Sequence, residues 1–516
     1  MNIKKLTSLI FNRTVLIAAL IVFQAALLLV SMVFFSAFFV YFYWNCVILS
    51  ILAVLIIVSR QTDPGYKIAW IIPILIFPVF GWLVYLLCGG NRLSARMRRK
   101  MQGMDRKMIE VLEQDCKAES LSGFGMDAVI QSRYLERYAH CPAYTNTDTR
   151  YFPLGDDAFP VMLEELRHAK RYIFLEYFII APGIFWDSVL EILKEKHAAG
   201  VDVRIIYDDV GCLPTLPMRY DRKLEAETGI PCCSFNRFKP VLSIRMNNRD
   251  HRKFCIIDGH TAFTGGINLA DEYINAKPRY GHWKDSAIQV KGAAAWSMTV
   301  MFLTMWEYIR EVEEDYDRFR APAPPAGAEP GGNHFVQPYT DNPLDNEAVG
   351  ETVYLNLINK AQNYVYIMTP YLIVSDSVNT ALCNAAKAGV DVRIITPHVP
   401  DKRLVFELTR AHYQPLLEAG VQIFEYTPGF VHAKVFVVDD SEAVVGTINL
   451  DYRSLYHHFE NAVWMKDTAC IPAIEKDFQK TLEFCRDVEP TRESIWEGKV
   501  LLHLAGILLK VIAPLL

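Results

Sequence analysis

The hydrophobic pattern of the first 90 residues is typical of a membrane anchor. No charged side chain occurs from residue 14 to residue 59. Because an α-helix rises about 1.5 Å per residue, this run is about twice as long as one bilayer crossing requires. We predict two spanning helices, at residues 15–35 and 40–58, with an interfacial turn at residues 41–45. A third apolar stretch covers residues 68–87.

The basic residues that flank these stretches predict the orientation of the chain. Lys4, Lys5 and Arg13 precede the first stretch, and a larger basic cluster follows the third, at residues 92–107. Since the larger cluster should stay in the cytoplasm, we expect a multi-pass membrane protein with a cytoplasmic C-terminal body. The same cluster is suited to anionic lipid headgroups. A cleavable signal peptide is the alternative for the first stretch, but its apolar run is too long.

After residue 150 the pattern changes to short apolar strands that alternate with amphipathic helices, and it occurs twice. Each half begins with a predicted strand, helix and strand, at residues 171–179, 187–199 and 200–206 and again at residues 363–371, 377–387 and 389–395. The second strand begins with the same seven residues in both halves, Gly-Val-Asp-Val-Arg-Ile-Ile. This alternation predicts an α/β fold with a largely parallel sheet in each half.

A segment rich in Pro, Gly and Ala separates the halves and predicts a linker. We therefore expect a membrane anchor of two to three helices at residues 1–90, a basic juxtamembrane connector at 91–150, homologous domains at 151–320 and 333–494, a linker at 321–332, and an interfacial or packing helix at 495–516.

Each half contains one copy of a histidine motif. The first copy has His251, Lys253 and Asp258, followed by Gly265, Gly266 and Asn268, and the second has His432, Lys434 and Asp439, followed by Gly446, Thr447 and Asn449. In a β-strand, residues i and i+2 face the same side, so each copy places an imidazole beside an ammonium. The glycines allow a close approach of the backbone. Two such copies would arise by chance on the order of once in a million chains of this length.

Composition narrows the classes of function. The formal net charge of −5 argues against a nucleic-acid-binding protein, which would carry a basic stripe. The 11 cysteines are scattered and include no C-x-x-C pair, so we expect a reduced chain without a disulfide framework. The remaining metal-ligand candidates match no standard zinc spacing, namely Cys232, Cys233, His282, His457 and His458. We predict no metal and no cofactor.

The paired motifs are suited to chemistry at a phosphodiester. One imidazole attacks phosphorus and holds it as phosphohistidine, while the other protonates the leaving alcohol and later deprotonates the acceptor. The lysines and Asn268 and Asn449 would surround the nonbridging oxygens and stabilise the charge of the transition state. A mechanism with these two roles for the imidazoles requires no metal.

The doubled motif resembles that of the phospholipase D superfamily, and the chain resembles bacterial cardiolipin synthases within it. The resemblance extends from about residue 63 to the C-terminus and includes the Asp-Pro pair before the third apolar stretch, residues 366–371, and the closing Pro-Leu-Leu. It implies two homologous phospholipase D-like domains that are related by a pseudo-two-fold axis, share one active site and follow an α-helical transmembrane anchor.

The resemblance also implies roles for individual residues. His251 would be the nucleophile and His432 the general acid and base, although the symmetric spacing permits the reverse. Glu272 and Glu460 would be the carboxylates that fix the histidine tautomers. Asp258 and Asp439 complete the catalytic motifs, and we expect them to hold each motif together rather than to take part in the chemistry.

The implied reaction transfers a phosphatidyl group from one phosphatidylglycerol to another and gives cardiolipin and glycerol. The partners would be phosphatidylglycerol, anionic membrane lipids and the membrane, with no nucleic acid; the sequence sets no oligomeric state. A phospholipase D-type hydrolase or another phosphatidyltransferase is the nearer alternative. A membrane-tethered nuclease is the more distant one.

Overall fold

The computed structural model describes residues 22–30, 36–60, 64–88, 95–115, 118–238, 248–321, 332–345, 347–489 and 510. The chain divides into two compact units. One unit contains the N-terminal helices up to Arg92, and the other contains both halves of the repeat. The linker and the C-terminal helix predicted at residues 495–516 fall almost entirely outside the described residues.

The N-terminal unit is helical. Residues 22–30 form a helix, and three helices follow: α1 (Ser36–Ser59), α2 (Pro64–Ile76) and α3 (Gly81–Cys88). Their buried side chains form a small core in which the rings of Trp70 and Tyr85 lie 5.3 Å apart. Among the described residues, one helix is long and apolar enough to cross a membrane, at Val40–Ser59.

One prediction for the anchor was wrong in detail. The expected turn at residues 41–45 is part of α1, where the side chain of Asn45 donates to the carbonyl of Tyr41 and so satisfies its amide within the helix. The third apolar stretch is broken between α2 and α3, because Pro78 lacks an amide hydrogen and disfavours helical geometry at the residue before it. Much of the span predicted at residues 15–35 lies outside the described residues.

The predicted connector contributes to the core of the larger unit. It contains α4 (Ala95–Leu112) and α5 (Met126–Tyr138). On α4, the side chains of Met101, Met108 and Leu112 are buried. Lys100 pairs with Glu311, so part of the basic cluster binds the protein itself.

The first half is built on a seven-stranded sheet. Its strands are β1 (Thr147–Phe152), β2 (Tyr172–Tyr177), β3 (Asp202–Asp208), β4 (Cys232–Phe235), β6 (Phe254–Ile257), β7 (Thr261–Gly265) and β9 (Ala287–Gly292), while β5 (Arg249–Asp250) and β8 (His282–Lys284) pair elsewhere. The strand order is β1-β9-β7-β6-β2-β3-β4. Its helices are α6 (Gly155–His168), α7 (Ile184–Ala198), α8 (Tyr220–Thr228) and α9 (Ala295–Arg310).

The second half repeats this arrangement. Its strands are β10 (Phe335–Asp341), β11 (Tyr364–Met368), β12 (Leu372–Ile373), β13 (Asp391–Pro397), β14 (Gln422–Tyr426), β15 (Gly429–Val431), β16 (Val435–Val438), β17 (Glu442–Gly446), β18 (Leu450–Asp451), β19 (His458–Lys466) and β20 (Cys485–Asp487). The order β10-β19-β17-β16-β11-β13-β14 matches the first sheet strand for strand, and β20 extends it. Its helices are α10 (Val349–Lys360), α11 (Asp376–Lys387), α12 (Arg403–Ala411), α13 (Tyr413–Glu418), α14 (Tyr452–Tyr456) and α15 (Ile471–Leu482).

The sheets are mixed, so the expectation of largely parallel sheets was wrong. In the first sheet, β2–β3 and β3–β4 are parallel, and the other neighbouring pairs are antiparallel. The histidine motif causes the change: β6 turns directly into β7 through Asp258 and Gly259, which have φ of 56° and 71°. Two consecutive residues with positive φ form a tight hairpin, which returns the chain antiparallel.

Candidate active site

Each histidine lies just after a short strand and beside its own lysine. His251 follows β5, and His432 follows β15. The ammonium of Lys253 donates to the carbonyl oxygen of His251 at 2.7 Å, and Lys434 donates to the carbonyl oxygen of His432 in the same way. All four side chains are buried. The spacing read from the sequence thus keeps each lysine in contact with its own histidine, but residues 251–253 and 432–434 lie between strands, so the prediction that each pair lies on a β-strand was wrong.

Each short strand pairs with a strand of the opposite half. Strand β5 pairs in parallel with the start of β19, and the amide of His251 donates to the carbonyl of Phe459 at 2.9 Å. Reciprocally, β15 pairs in parallel with β8, and the amide of His432 donates to the carbonyl of Lys284 at 2.7 Å. Each histidine is thus held by backbone hydrogen bonds to the opposite half.

The carboxylate that each histidine contacts also comes from the opposite half. His251 Nδ1 lies 2.9 Å from Glu460 Oε1 and 3.0 Å from Oε2. His432 Nδ1 lies 2.7 Å from Asp285 Oδ2. An ionised carboxylate only accepts hydrogen bonds, so Nδ1 carries the hydrogen and Nε2 of each neutral ring keeps its lone pair. Two histidine–carboxylate dyads result, His251–Glu460 and His432–Asp285.

Glu272 does not lie where the resemblance to the family placed it. Its carboxylate pairs with Arg279, and Asp285 takes the place at His432 that we expected for Glu272. Sequence reasoning missed Asp285 because it lies 19 residues after Gly266, whereas Glu460 lies 13 residues after Thr447. A weak signal was present: His282-Trp-Lys-Asp285 and His457-His-Phe-Glu460 share a histidine three residues before the acid.

The two motif aspartates cap neighbouring strands. The carboxylate of Asp258 accepts hydrogen bonds from the backbone amides of residues 170, 171 and 172, at the start of β2. The carboxylate of Asp439 accepts from the amides of residues 362, 363 and 364, at the start of β11. These contacts occupy the carboxylates with backbone groups, which agrees with a structural role and leaves the histidines to Glu460 and Asp285.

The asparagines and glycines after each motif differ in their surroundings. Asn268 accepts from the amide of Ile179 at 3.0 Å and donates to the hydroxyl of Tyr273 at 2.7 Å, so its amide group is bound within the first half. The side-chain oxygen of Asn449 is buried and has no hydrogen-bond partner among the described residues. The side-chain oxygen of Asn449, unlike that of Asn268, therefore takes no part in hydrogen bonds that hold the described fold together.

Gly265 and Gly266 lie where the halves meet. Gly265 has φ of 144°, and a Cβ there would lie 2.3 Å from the carbonyl oxygen of Ser286. A Cβ on Gly266 would lie 1.9 Å from Asp285 Oδ1 and 2.8 Å from the carbonyl oxygen of His432. Its counterpart Thr447 instead donates its hydroxyl to Glu460 Oε2 at 2.5 Å. The atoms that lie close to these two glycines therefore belong to the protein itself.

Burial keeps both histidines neutral. Loss of solvent lowers the pKa of His251 to about 3 and that of His432 to about 4, and the nearby carboxylates only partly oppose this effect. Burial would raise the pKa of Glu460, but its interactions with His251 and His458 hold it below its usual value. Neutral imidazoles beside ionised carboxylates are the state in which Nε2 is nucleophilic.

The lysines are also shifted. Burial lowers the pKa of Lys253 to about 8 and that of Lys434 to about 7, while the dyad carboxylates oppose the shift. Lys253 interacts with both Glu460 and Asp285, and so does Lys434. The two ammonium groups therefore supply positive charge in a site shielded from water, where they would attract an anionic phosphodiester.

One additional histidine belongs to the site. The ring of His458 lies 5.4 Å from that of His251, and its Nδ1 lies 3.6 Å from Glu460 Oε1. Among the described residues, ligand atoms of His251, His458 and Glu460 lie within 4.8 Å of one another, close enough to surround a cation. The ammonium of Lys253 faces the same carboxylate and opposes a second positive charge there. The absence of a metal from the reaction stays a prediction.

The comparisons with known proteins agree with this architecture. The family profile described as "Cardiolipin synthase, PLD-like domain" matches residues 162–281 and 354–482, and "Phospholipase_D-nuclease N-terminal" matches residues 48–90. An uncharacterized protein of Streptococcus mutans is 43% identical over 90% of this chain and 99% of its own length. Cardiolipin synthase 2 of Bacillus anthracis is 33% identical over 85% of this chain and 84% of its own length.

A solved structure resembles the fold. The crystal structure of phosphatidylserine synthase from Haemophilus influenzae covers 75% of this chain and 100% of its own, with a TM-score of 0.56 and 14% sequence identity. This likeness confirms the two-domain α/β fold. Because a curated cardiolipin synthase matches the chain over most of both lengths, the chain belongs to the cardiolipin synthase family of phospholipase D-like proteins.

Proposed function

We propose that the protein transfers the phosphatidyl group of one phosphatidylglycerol to a glycerol hydroxyl of a second, which gives cardiolipin and free glycerol. Membership of the family makes the protein a phosphatidyltransferase with phospholipid substrates. The observation that carries the reaction is the pair of reciprocal dyads, His251 with Glu460 and His432 with Asp285. Two neutral imidazoles with unprotonated Nε2 atoms suit a double displacement at phosphorus.

In the first step, Nε2 of His251 attacks the phosphorus of the donor lipid. The new N–P bond replaces the bond from phosphorus to the glycerol oxygen, and His432 gives that oxygen its proton. The pKa of His432 in the empty site is low, but a bound phosphodiester anion favours the protonated ring, and Asp285 stabilises it. Glu460 stabilises the positive charge that develops on His251.

In the second step, the hydroxyl of another phosphatidylglycerol attacks the phosphohistidine. His432 takes the hydroxyl proton, the new O–P bond replaces the N–P bond, and His251 returns neutral. Lys253 and Lys434 contact the nonbridging oxygens in both steps, and Asn449 donates its amide hydrogens there. Asn268, whose amide is bound to Ile179 and Tyr273, supports the loop that carries it.

We also infer that a pseudo-two-fold axis relates the halves and passes between the dyads. The matching strand orders support this symmetry, and so does the reciprocal pairing of β5 with β19 and of β15 with β8. In such an arrangement the histidines face each other across the phosphorus, and either could attack. The nucleophilic role of His251 rests on its position in the first half.

The protein is membrane-associated, as its family and its apolar N-terminal helix indicate. We propose several spans and cytoplasmic catalytic domains, because the larger basic cluster follows the apolar stretches. With this orientation, anionic lipids of the inner leaflet would bind the basic cluster and would also serve as substrates.

The first test is mass spectrometry of the lipids formed when the purified, detergent-solubilised protein is incubated with phosphatidylglycerol alone and no added metal. We expect cardiolipin and glycerol in equal amounts, and neither product with His251→Ala or His432→Ala. His260→Ala is the matched control, because His260 is exposed at the hairpin after the first motif. Phosphatidic acid as the product would show a hydrolase, and no turnover would contradict the choice of donor.

A further inference from the structure

Each dyad has a second aromatic ring in the same position. The rings of Trp283 and His432 lie 5.4 Å apart at an angle of 45°. The rings of His458 and His251 also lie 5.4 Å apart at 45°. Two unrelated side chains thus make the same contact with the two histidines.

These two rings occupy equivalent places in the fold. Trp283 lies two residues before Asp285, and His458 lies two residues before Glu460. Each belongs to a strand that pairs in parallel with the short strand before the opposite histidine. In a strand, residues two apart face the same side, so the ring and the carboxylate point together towards the histidine.

Each ring also directs a nitrogen at its carboxylate. Trp283 Nε1 donates to Asp285 Oδ2 at 3.4 Å, whereas His458 Nδ1 faces Glu460 Oε1 at 3.6 Å, beyond hydrogen-bond distance, and has no hydrogen-bond partner among the described residues. Both side chains are buried, so these nitrogens face the carboxylates with little competition from water. A fixed carboxylate matters because its orientation sets the tautomer and direction of the catalytic imidazole.

We propose that Trp283 and His458 are equivalent positioning residues, each of which braces one histidine–carboxylate dyad through ring contact and an N–H group directed at the carboxylate. This inference rests on the proposed function and adds to it two residues that do not touch the substrate. Asp285 is also held by the amide of Ser286 at 2.8 Å, and Glu460 by the hydroxyl of Thr447. Each ring thus adds a nitrogen that faces a carboxylate already held by other donors.

The two braces differ in one respect. The indole of Trp283 always carries hydrogen on Nε1, whereas His458 must carry hydrogen on Nδ1 to act in the same way. The longer separation at His458 makes it the looser brace. Exchange of the two ring types is therefore an informative change, because tryptophan at position 458 supplies the N–H group permanently.

The experiment compares kcat and KM for His458→Phe, His458→Trp and Trp283→Phe with wild type. Phenylalanine keeps the ring and removes the N–H group, so we expect kcat to fall about tenfold in both Phe variants, because a buried carboxylate then loses a polar group that faces it. KM should stay unchanged, because each ring acts on a histidine–carboxylate dyad and not on lipid binding. His458→Trp should retain kcat within about threefold of wild type, which is less than the loss of one hydrogen bond.

Two results would overturn the proposal: Phe variants as active as wild type, or a His458→Trp variant as slow as His458→Phe at an unchanged thermal midpoint. If a Phe variant does not fold, His458→Asn and His458→Leu give the comparison, since they have similar size and only Asn has an N–H group. Kinetics follow whichever lipid product wild type forms, cardiolipin or phosphatidic acid. An error in the proposed function would therefore change the product that wild type forms, whereas an error in the positioning roles of Trp283 and His458 would change only the kinetics of the variants.

Discussion

His251 Nδ1 lies 2.9 Å from Glu460 Oε1, although 209 residues separate the two in the chain. The contact crosses from one half to the other, and His432 makes the reverse crossing to Asp285. Neither half therefore contains a complete dyad by itself. The active site exists only when both halves are folded and docked.

Glu460→Gln should reduce kcat by about 10³-fold or more, because a neutral amide no longer stabilises the charged ring or fixes its tautomer. Asp285→Asn should act similarly on the second dyad. Cardiolipin formation from phosphatidylglycerol measures both effects. Glu272→Gln is the matched control, since Glu272 pairs with Arg279, and it should stay within about threefold of wild type, as expected for one partly exposed ion pair. A greater loss in Glu272→Gln than in Asp285→Asn would contradict the assignment.

Gly266→Ala should remove most activity while the halves still fold. The new methyl group would lie 1.9 Å from Asp285 Oδ1 and 2.8 Å from the carbonyl of His432, so the second dyad must move. A shift of about 1 Å in a catalytic group costs on the order of 10²-fold in rate. Gly123→Ala is the control, because no atom lies within 4 Å of its added Cβ. Wild-type turnover by Gly266→Ala would show that the site tolerates the displacement.

Asp258→Ala and Asp439→Ala should lower stability rather than slow the chemistry. Each change removes the acceptor of three backbone hydrogen bonds, which should reduce the free energy of unfolding by about 3 kcal/mol. Thermal or denaturant unfolding measures the loss, and kcat per folded molecule should stay within about threefold of wild type, because neither carboxylate reaches a histidine. Folded variants that lack turnover would assign the aspartates to the reaction.

The pH dependence of kcat/KM should show loss of activity as pH rises through about 7 to 8, the range in which Lys434 and Lys253 lose their charge. The sign follows from the role of the ammonium groups: the protonated lysines bind the phosphodiester, and deprotonation removes that charge. Bound lipid favours the protonated lysines, so the same limb in kcat should lie at higher pH. Lys434→Arg should move the limb to higher pH in whatever activity it retains, and an unchanged profile would exclude Lys434 as its source.

The alternation of apolar residues predicted the first strand, helix and strand of the repeated pattern in each half. It located β2, α7 and β3 in the first half and β11, α11 and β13 in the second, because strand and helix periods are local properties of the sequence. It did not give the direction of the remaining strands, since the hairpin after each motif depends on turn residues such as Asp258 and Gly259.

The sequence by itself determined that each histidine lies close to its own lysine, since only one residue separates the two in each copy, although neither pair lies on a strand as predicted. It also contained every group that the structure brings to the site. Only the tertiary structure decided that Asp285 and not Glu272 serves His432, and that Trp283 and His458 lie beside the dyads. Those contacts form between strands of opposite halves. The residues that meet when two halves dock have no fixed separation in the sequence, whereas residues on one face of a helix or strand recur at a regular interval.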